Sequence, residues 1–347
     1  MNKVYENYLL TQLENIINIP SPSGYTQRAQ EYLEKEVESM GFELRHYNRG
    51  GFSYCLGGEG DPIAVMAHID TIGAIVKEIK PNGRIYMLNI GGLNANNIET
   101  TSATLFTRYD GPLRGTIQVK NASTHVNHEL DVVRKFTDNV EFVLDNDVRS
   151  ADDVRKLGVE NGDIIALDPR FEISTDGYIK SRFLDDKIGI AILLAFSKFV
   201  KENKVKLKRK VYICFSVYEE VLHGSAYMPP EDVTELLSID MGCVGEGMQG
   251  TEQDVCIVAR DSRGPYPYAE LTQLVDLCRE NKLDYALDCY DGYVSDSSAS
   301  LSAGYDIVPL AFGPGVYASH GYERLNMNGV KNTLDLLALY TSGKKFA

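Results

Sequence analysis

A chain of 347 residues has room for two domains, or for one large domain carrying an insertion. Its 44% hydrophobic and 24% charged residues are ordinary for a globular protein, and a net charge of −14 argues against nucleic acid or an anionic membrane as partner. The chain opens without a basic-then-apolar leader and holds no apolar run near ~18 residues, so the expectation is a cytoplasmic protein.

Residues 4–18 read as an amphipathic helix, with Leu9, Leu10, Leu13, Ile16 and Ile17 recurring at three- and four-residue steps. The Pro- and Gly-rich run from Asn18 to Gly24 ends it. A second helix follows, with Thr26 as N-cap, Ala29, Tyr32, Leu33, Val37 and Met40 on one face, and Gly41 just past its end. Ile63–Ala67 is a short buried-strand pattern that delivers His68-Ile-Asp70 at its carboxyl end.

From about residue 75 the texture changes. Ile75–Ile79 and Arg84–Leu88 alternate around Pro81-Asn-Gly83, and Ala103–Tyr109 and Leu113–Val119 flank Asp110-Gly-Pro112, which predicts two hairpins. Val140–Leu144 and Asp163–Leu167 read as further strands, with a short helix at Ala151–Leu157 capped by Ser150. Strand following strand without long helices predicts a β-rich unit at residues 76–170, inserted into an α/β domain formed by 1–75 and 171–347. His125 and His128 lie in this unit with neither spacing of a zinc-protease helix, and read as a turn.

Beyond the insertion, Leu184-Asp185-Asp186-Lys-Ile-Gly189 opens a strongly apolar helix through Val200. Val211–Val217 is a strand that stops at two adjacent acids, Glu219 and Glu220. Leu237–Asp240 is another short strand with an acid at its end. Val255–Arg260 reads as a strand, Tyr268–Asn281 as a helix, and Val294–Ala299 as a Ser-rich loop holding Asp296. Ile307–Phe312 is a strand that leads through Gly313-Pro-Gly to His320, and a helix through Leu325, Val330, Leu334 and Leu337 closes the chain. The six cysteines show no C-x-x-C spacing; buried free thiols are expected, not a Cys-type zinc site.

Five strand ends or strand–helix junctions therefore carry metal-capable side chains: His68, Asp185, Glu220, Asp240 and His320. In open α/β sheets ligands collect at the carboxyl ends of strands. Two imidazoles and three carboxylates are mixed donors that zinc and its neighbours accept, and one bridging carboxylate lets five side chains serve two metals. Two ions ~3.5–4 Å apart activate a bridging water as nucleophile and polarise a carbonyl. Glu219 is left beside them without a ligand role, where it can act as general base.

The order His-x-Asp, Leu-Asp-Asp-Lys-x-Gly, Glu-Glu, Ile-Asp, His resembles the co-catalytic dizinc metallopeptidases, and within them the glutamyl and tetrahedral aminopeptidase family, some of whose members carry endoglucanase labels. The resemblance runs from Ile19-Pro-Ser-Pro-Ser-Gly24 to the final helix. It implies a three-layer catalytic α/β domain with a central mixed, largely parallel sheet, interrupted by an inserted barrel-like dimerisation domain. It implies release of N-terminal residues from short peptides, with two divalent ions per subunit, zinc first and cobalt or manganese as alternatives. It also implies a homodimer, with further assembly to a dodecamer. Asp185 would bridge the metals beside a cis peptide to Asp186, with His68 and Asp240 completing one site and Glu220 and His320 the other. Glu219 would be the base and Asp70 the orienter of His68; Asp296 would lie near the substrate.

Two departures stand out. Thr71 follows Asp70 where the family has Glu, and the Glu-Glu pair runs into Val-Leu-His223-Gly-Ser-Ala226 instead of Val-Gly-x-[Arg/Lys]-Gly-Ala. The second makes His223 a candidate for reading the substrate. His-x-Asp-Thr also occurs in dizinc dipeptidases, carboxypeptidases and deacylases, which insert their extra domain later in the chain. An endoglucanase would need two carboxyls flanking a sugar bond, and the chain has no Trp to line such a groove. A non-catalytic binding protein on this fold would show a ligand position replaced by an inert residue, and all five are intact.

Overall fold

The structure is a computed structural model and describes residues 1–346. Four parallel strands form the centre of the larger sheet, in the order Val211–Ser216, Ile63–His68, Glu235–Ile239 and Val308–Tyr317. Their register places Ser216 opposite His68, Ser238 opposite Met66 and Ile239 opposite Phe312. The carboxyl ends that carry the acids and His68 thus lie along one edge. Antiparallel strands extend both sides: Phe52–Gly57 next to Val211–Ser216, and Glu323–Asn326 next to Val308–Tyr317.

Strand residues alternate between two buried faces. Val65, Ile213, Phe215, Leu237 and Ile239 join the core shared with helices Lys3–Ile17, Leu184–Glu202 and Met327–Ser342. Ala64, Met66, Cys214 and Leu236 form a smaller cluster with Met228 and Val233 on the other side. Burial on both faces accounts for the nearly continuous apolar runs of these strands. The insertion is a closed antiparallel barrel of six strands that begins at Gly73–Ile79 and ends at Ile164–Leu167. It has its own core around Ile85, Leu105, Ile117, Phe142 and Ile165. The fold is the expected mixed α/β sheet plus a separate barrel. No helix among the described residues is long and apolar enough to cross a membrane.

Several elements differ from the sequence reading. Leu325 lies in the strand Glu323–Asn326, and the last helix starts at Met327, where the Asn326 side chain accepts from the Asn328 amide and caps it. Asp296 opens a short buried helix, Asp296–Ser302, instead of sitting in a loop. Ser297 binds the carbonyls of Leu236 and Leu310, which ties that helix to the sheet. The strand from Val308 continues through Gly313-Pro-Gly to Tyr317. Cys55 and Cys289 are exposed, so only part of the cysteine set is buried.

Candidate metal centre

His68 ends its strand with its amide donating to Asp186 Oδ2 (3.2 Å). Its Nδ1 lies 2.9 Å from the Asp70 carbonyl oxygen, which only accepts, so Nδ1 carries a proton and Nε2 is the ring nitrogen left to serve a metal. That Nε2 faces Asp185 Oδ1 at 3.1 Å and Glu219 Oε2 at 3.8 Å. The other oxygen of Asp185 lies 3.3 Å from His320 Nε2, which is also 3.4 Å from Glu220 Oε2. Asp185 thus turns one oxygen to each imidazole. It stands at the start of helix Leu184–Glu202, joined to Asp186 by a cis peptide bond.

The structure gathers the five candidate ligands into two overlapping groups. Donor atoms of His68, Asp185 and Asp240 lie within 4.8 Å of one another, as do those of Asp185, Glu220 and His320. Glu219 belongs to neither group, yet it lines the same cavity of about 600 Å³ as Asp185, Glu220, Asp240 and His320.

Electrostatics in this pocket are dominated by acids. Burial, reinforced by the Asp185 charge, pushes Asp240 up to about 7 and Glu220 up to about 8. Burial also raises Glu219 well above the ordinary carboxylate range. Asp185 goes the other way: burial acts to raise it, but the contacts from His320 and His68 hold it low. Burial acts to lower both imidazoles, and against it the Asp185 carboxylate raises His68 well above its ordinary value and His320 to about 10. Asp240 Oδ1 is buried without a hydrogen-bond partner among the described residues. An orphaned carboxylate oxygen amid imidazoles and repelling acids fits divalent cations as the missing partners. The mixed nitrogen and oxygen donor set suits zinc-like ions.

A sequence model of the M42 glutamyl aminopeptidase family matches residues 50–336. The chain belongs to that family. It is a peptide hydrolase of the metallo-aminopeptidase type, and the family implies divalent metals for the ligand groups just described. Among its relatives, the Bacillus subtilis (strain 168) protein named "Putative aminopeptidase YhfE" is 36% identical over 331 residues, spanning 94% of this chain and 95% of that one. The fold is shared with the TET aminopeptidase of the Thaumarchaeota archaeon SCGC AB-539-E09, with a TM-score of 0.87 at 18% identity, covering 97% and 96% of the two chains. It is shared too with the Pyrococcus horikoshii TET1 peptidase, described as assembling into a tetrahedron or a large octahedral shell (TM-score 0.83, 22% identity, 95% and 98% covered).

Three sequence-based candidates take unexpected places in this M42 chain. The Asp70 carboxylate lies 3.6 Å from His68 Nδ1 and instead accepts from the amides of Glu219 (3.1 Å) and Glu220 (3.3 Å). It fixes the turn that carries both glutamates, while the Asp70 carbonyl fixes His68. Asp296 does not line the cavity: Ser216 Oγ and the Ser225 amide occupy its carboxylate oxygens from behind the glutamate turn. His223 is also absent from the cavity wall; its Nδ1 lies 2.6 Å from Arg49 Nη2 and its ring stacks on Tyr218.

Three positioning groups escaped the sequence reading. Asp186 accepts from the amides of His68 and Gly189 (3.1 Å). A side chain at Gly189 would meet that carboxylate at 2.4 Å, which accounts for the glycine. Lys187 is fully buried and donates to Ser21 Oγ (2.6 Å) and to the Ile69 carbonyl, bracing the His68–Asp70 segment. Glu323 accepts from the His320 amide (2.9 Å) and the Asp185 amide (3.2 Å), joining two ligand backbones. The Asp-Asp-Lys run was the available signal for the first two; Glu323 looked like any acid near a helix.

Proposed function

We propose that this M42 protein is a dinuclear aminopeptidase that releases N-terminal residues from short peptides, with Glu219 as general base. The observation that carries this reading is the split Asp185 carboxylate, shared by two ligand groups, with Glu219 on the same cavity wall but in neither group. His68, Asp185 and Asp240 would hold one ion, and Asp185, Glu220 and His320 the other. Such ions supply the Lewis-acid charge that acidifies a water and polarises the scissile carbonyl. Asp70 anchors the turn that carries Glu219, which supports a positioned base on the cavity wall. Glu219 takes a proton from the attacking water and returns it to the departing amine nitrogen. The native metal is zinc on this reading, with cobalt or manganese as alternatives.

The same reading keeps residues 76–170 as an inserted dimerisation domain, and the enzyme as a cytoplasmic homodimer able to assemble further. The assembly described for the P. horikoshii peptidase supports that last step.

Chelated and metal-reconstituted protein should be assayed on amino-acid anilides and N-blocked peptides. Metal-restored cleavage of free-amine substrates is expected; cleavage of blocked or C-terminal residues alone would move the enzyme to the deacylase or carboxypeptidase class. Glu219→Gln should abolish turnover at unchanged metal stoichiometry. Loss of metal in that variant would mean that Glu219 is a ligand.

A further inference from the structure

The charged groups lining the metal-centre cavity are Asp185, Glu219, Glu220, Asp240 and His320, all of them committed to metal binding or proton transfer. The rest of the wall is built largely from Val221, Leu222, Met241, Cys243, Tyr293 and Val294, with glycines and two serines between them. Among the described residues, no Lys or Arg lines it. Arg260, on the strand that leads to the wall, is paired with Asp291 at 2.6 Å. Arg263 follows the wall residue Ser262 in sequence, yet its own side chain is exposed and outside the lining.

This composition bears on which N-terminal side chain is accepted. A glutamate side chain would bring another carboxylate into a cavity that already holds four, with no Lys or Arg on the wall to pair it and His320 already engaged at the centre. A lysine ammonium would find only carboxylates that are already engaged at the centre. An aliphatic or thioether side chain would cover Val221, Leu222, Met241 and Val294 and release water from both surfaces.

Resting on the aminopeptidase reading above, we propose that this enzyme selects peptides whose N-terminal residue is uncharged and apolar, of the leucine or methionine type. The apolar wall sets the preference, in contrast to the glutamyl specificity for which the family is named. Discrimination among apolar side chains is modest, ~10–200-fold per methylene, whereas an unpaired buried charge is rejected by ~100-fold or more.

The test uses the full-length, metal-loaded protein with leucyl, methionyl, glutamyl and lysyl p-nitroanilides. The kcat/KM for leucine or methionine should exceed that for glutamate and lysine by ~100-fold. Val294→Lys, on the half-buried wall, should narrow the leucine-to-glutamate ratio by at least ~10-fold. Leu222→Lys at the exposed rim should do the same in a second, independent variant should the first not fold. Equal or greater kcat/KM for glutamate or lysine overturns the proposal. If no anilide is cleaved, the aminopeptidase reading falls, and calorimetry with free leucine and free glutamate decides this one separately. Tighter leucine binding upholds the apolar wall, and equal or tighter glutamate binding overturns it.

Discussion

Glu323 offers the sharpest test of how the centre is held. It is 1% exposed, and its two oxygens accept from the amides of His320 (2.9 Å) and Asp185 (3.2 Å), two of the candidate ligands. In Glu323→Gln the side chain keeps its size but has only one accepting oxygen. Whichever way the amide turns, its NH2 group faces a backbone N–H, so one charge-assisted hydrogen bond is lost and a buried donor is left unpaired. That costs about 1.5–3 kcal/mol. Part of it appears as lost stability, and part as a displaced ligand, because Asp185 belongs to both ligand groups. Weakening a partner that orients ligands lowers metal affinity by ~10–100-fold. The assay is calorimetric titration of chelated protein with zinc, run beside denaturant unfolding of the same metal-free protein. A variant that loses stability but binds zinc as tightly as the parent would refute the reasoning and leave Glu323 a purely structural residue.

Gly92→Ala should act on His320 from the barrel side, because an added Cβ would lie 2.4 Å from His320 Nδ1 and 2.6 Å from Cε1. Metal stoichiometry should fall toward one ion per chain with the fold intact, measured by elemental analysis and circular dichroism; two retained ions would show that the imidazole simply moves aside. Metal removal should interact with pH. Asp240 and Glu220 are raised from 3.8 and 4.5 to about 7 and about 8 by burial and by Asp185. The folded metal-free protein therefore holds protons that the unfolded chain releases from about pH 4 upward, and its stability falls as pH climbs toward 8. Cations replace those protons, so the Tm gain on metal loading should grow from pH 5 to pH 8, by several degrees. A gap that is flat or shrinking would mean the acids do not face the metals.

The candidate ligand set was legible because each member is a metal-capable residue type at a strand end or strand–helix junction, and apolar runs such as Ile63–Ala67 announce those ends in the sequence. Cooperating groups that merely hold a backbone carry no such mark. Glu323 and Asp186 have the composition of surface acids, and only the fold reveals that their oxygens face buried amides. The Ser-rich stretch around Asp296 misled for a related reason. Serine favours turns in solution, but here Ser297 and Ser300 are buried and donate to backbone carbonyls, so a polar run forms a core helix. The spacing of Leu325, Val330 and Leu334 predicts a helix that includes Leu325, whereas Leu325 belongs to the short strand Glu323–Asn326. Asn326, the cap, is the residue that marks the true helix start.

The barrel also reaches the chemistry. His68-Ile-Asp70 runs almost directly into its first strand, Gly73–Ile79, and the Ile72 amide donates to Glu220 Oε1 at 3.2 Å. Gly91 and Gly92, just beyond the strand Ile85–Ile90, close one side of the cavity against Glu220 and His320. A side chain at either glycine would press on the ligand that lies there. The insertion is therefore a wall of the candidate metal-centre cavity. Substitutions that shift its core around Ile85 and Met87 should reach the metals through these two glycines, without touching a ligand.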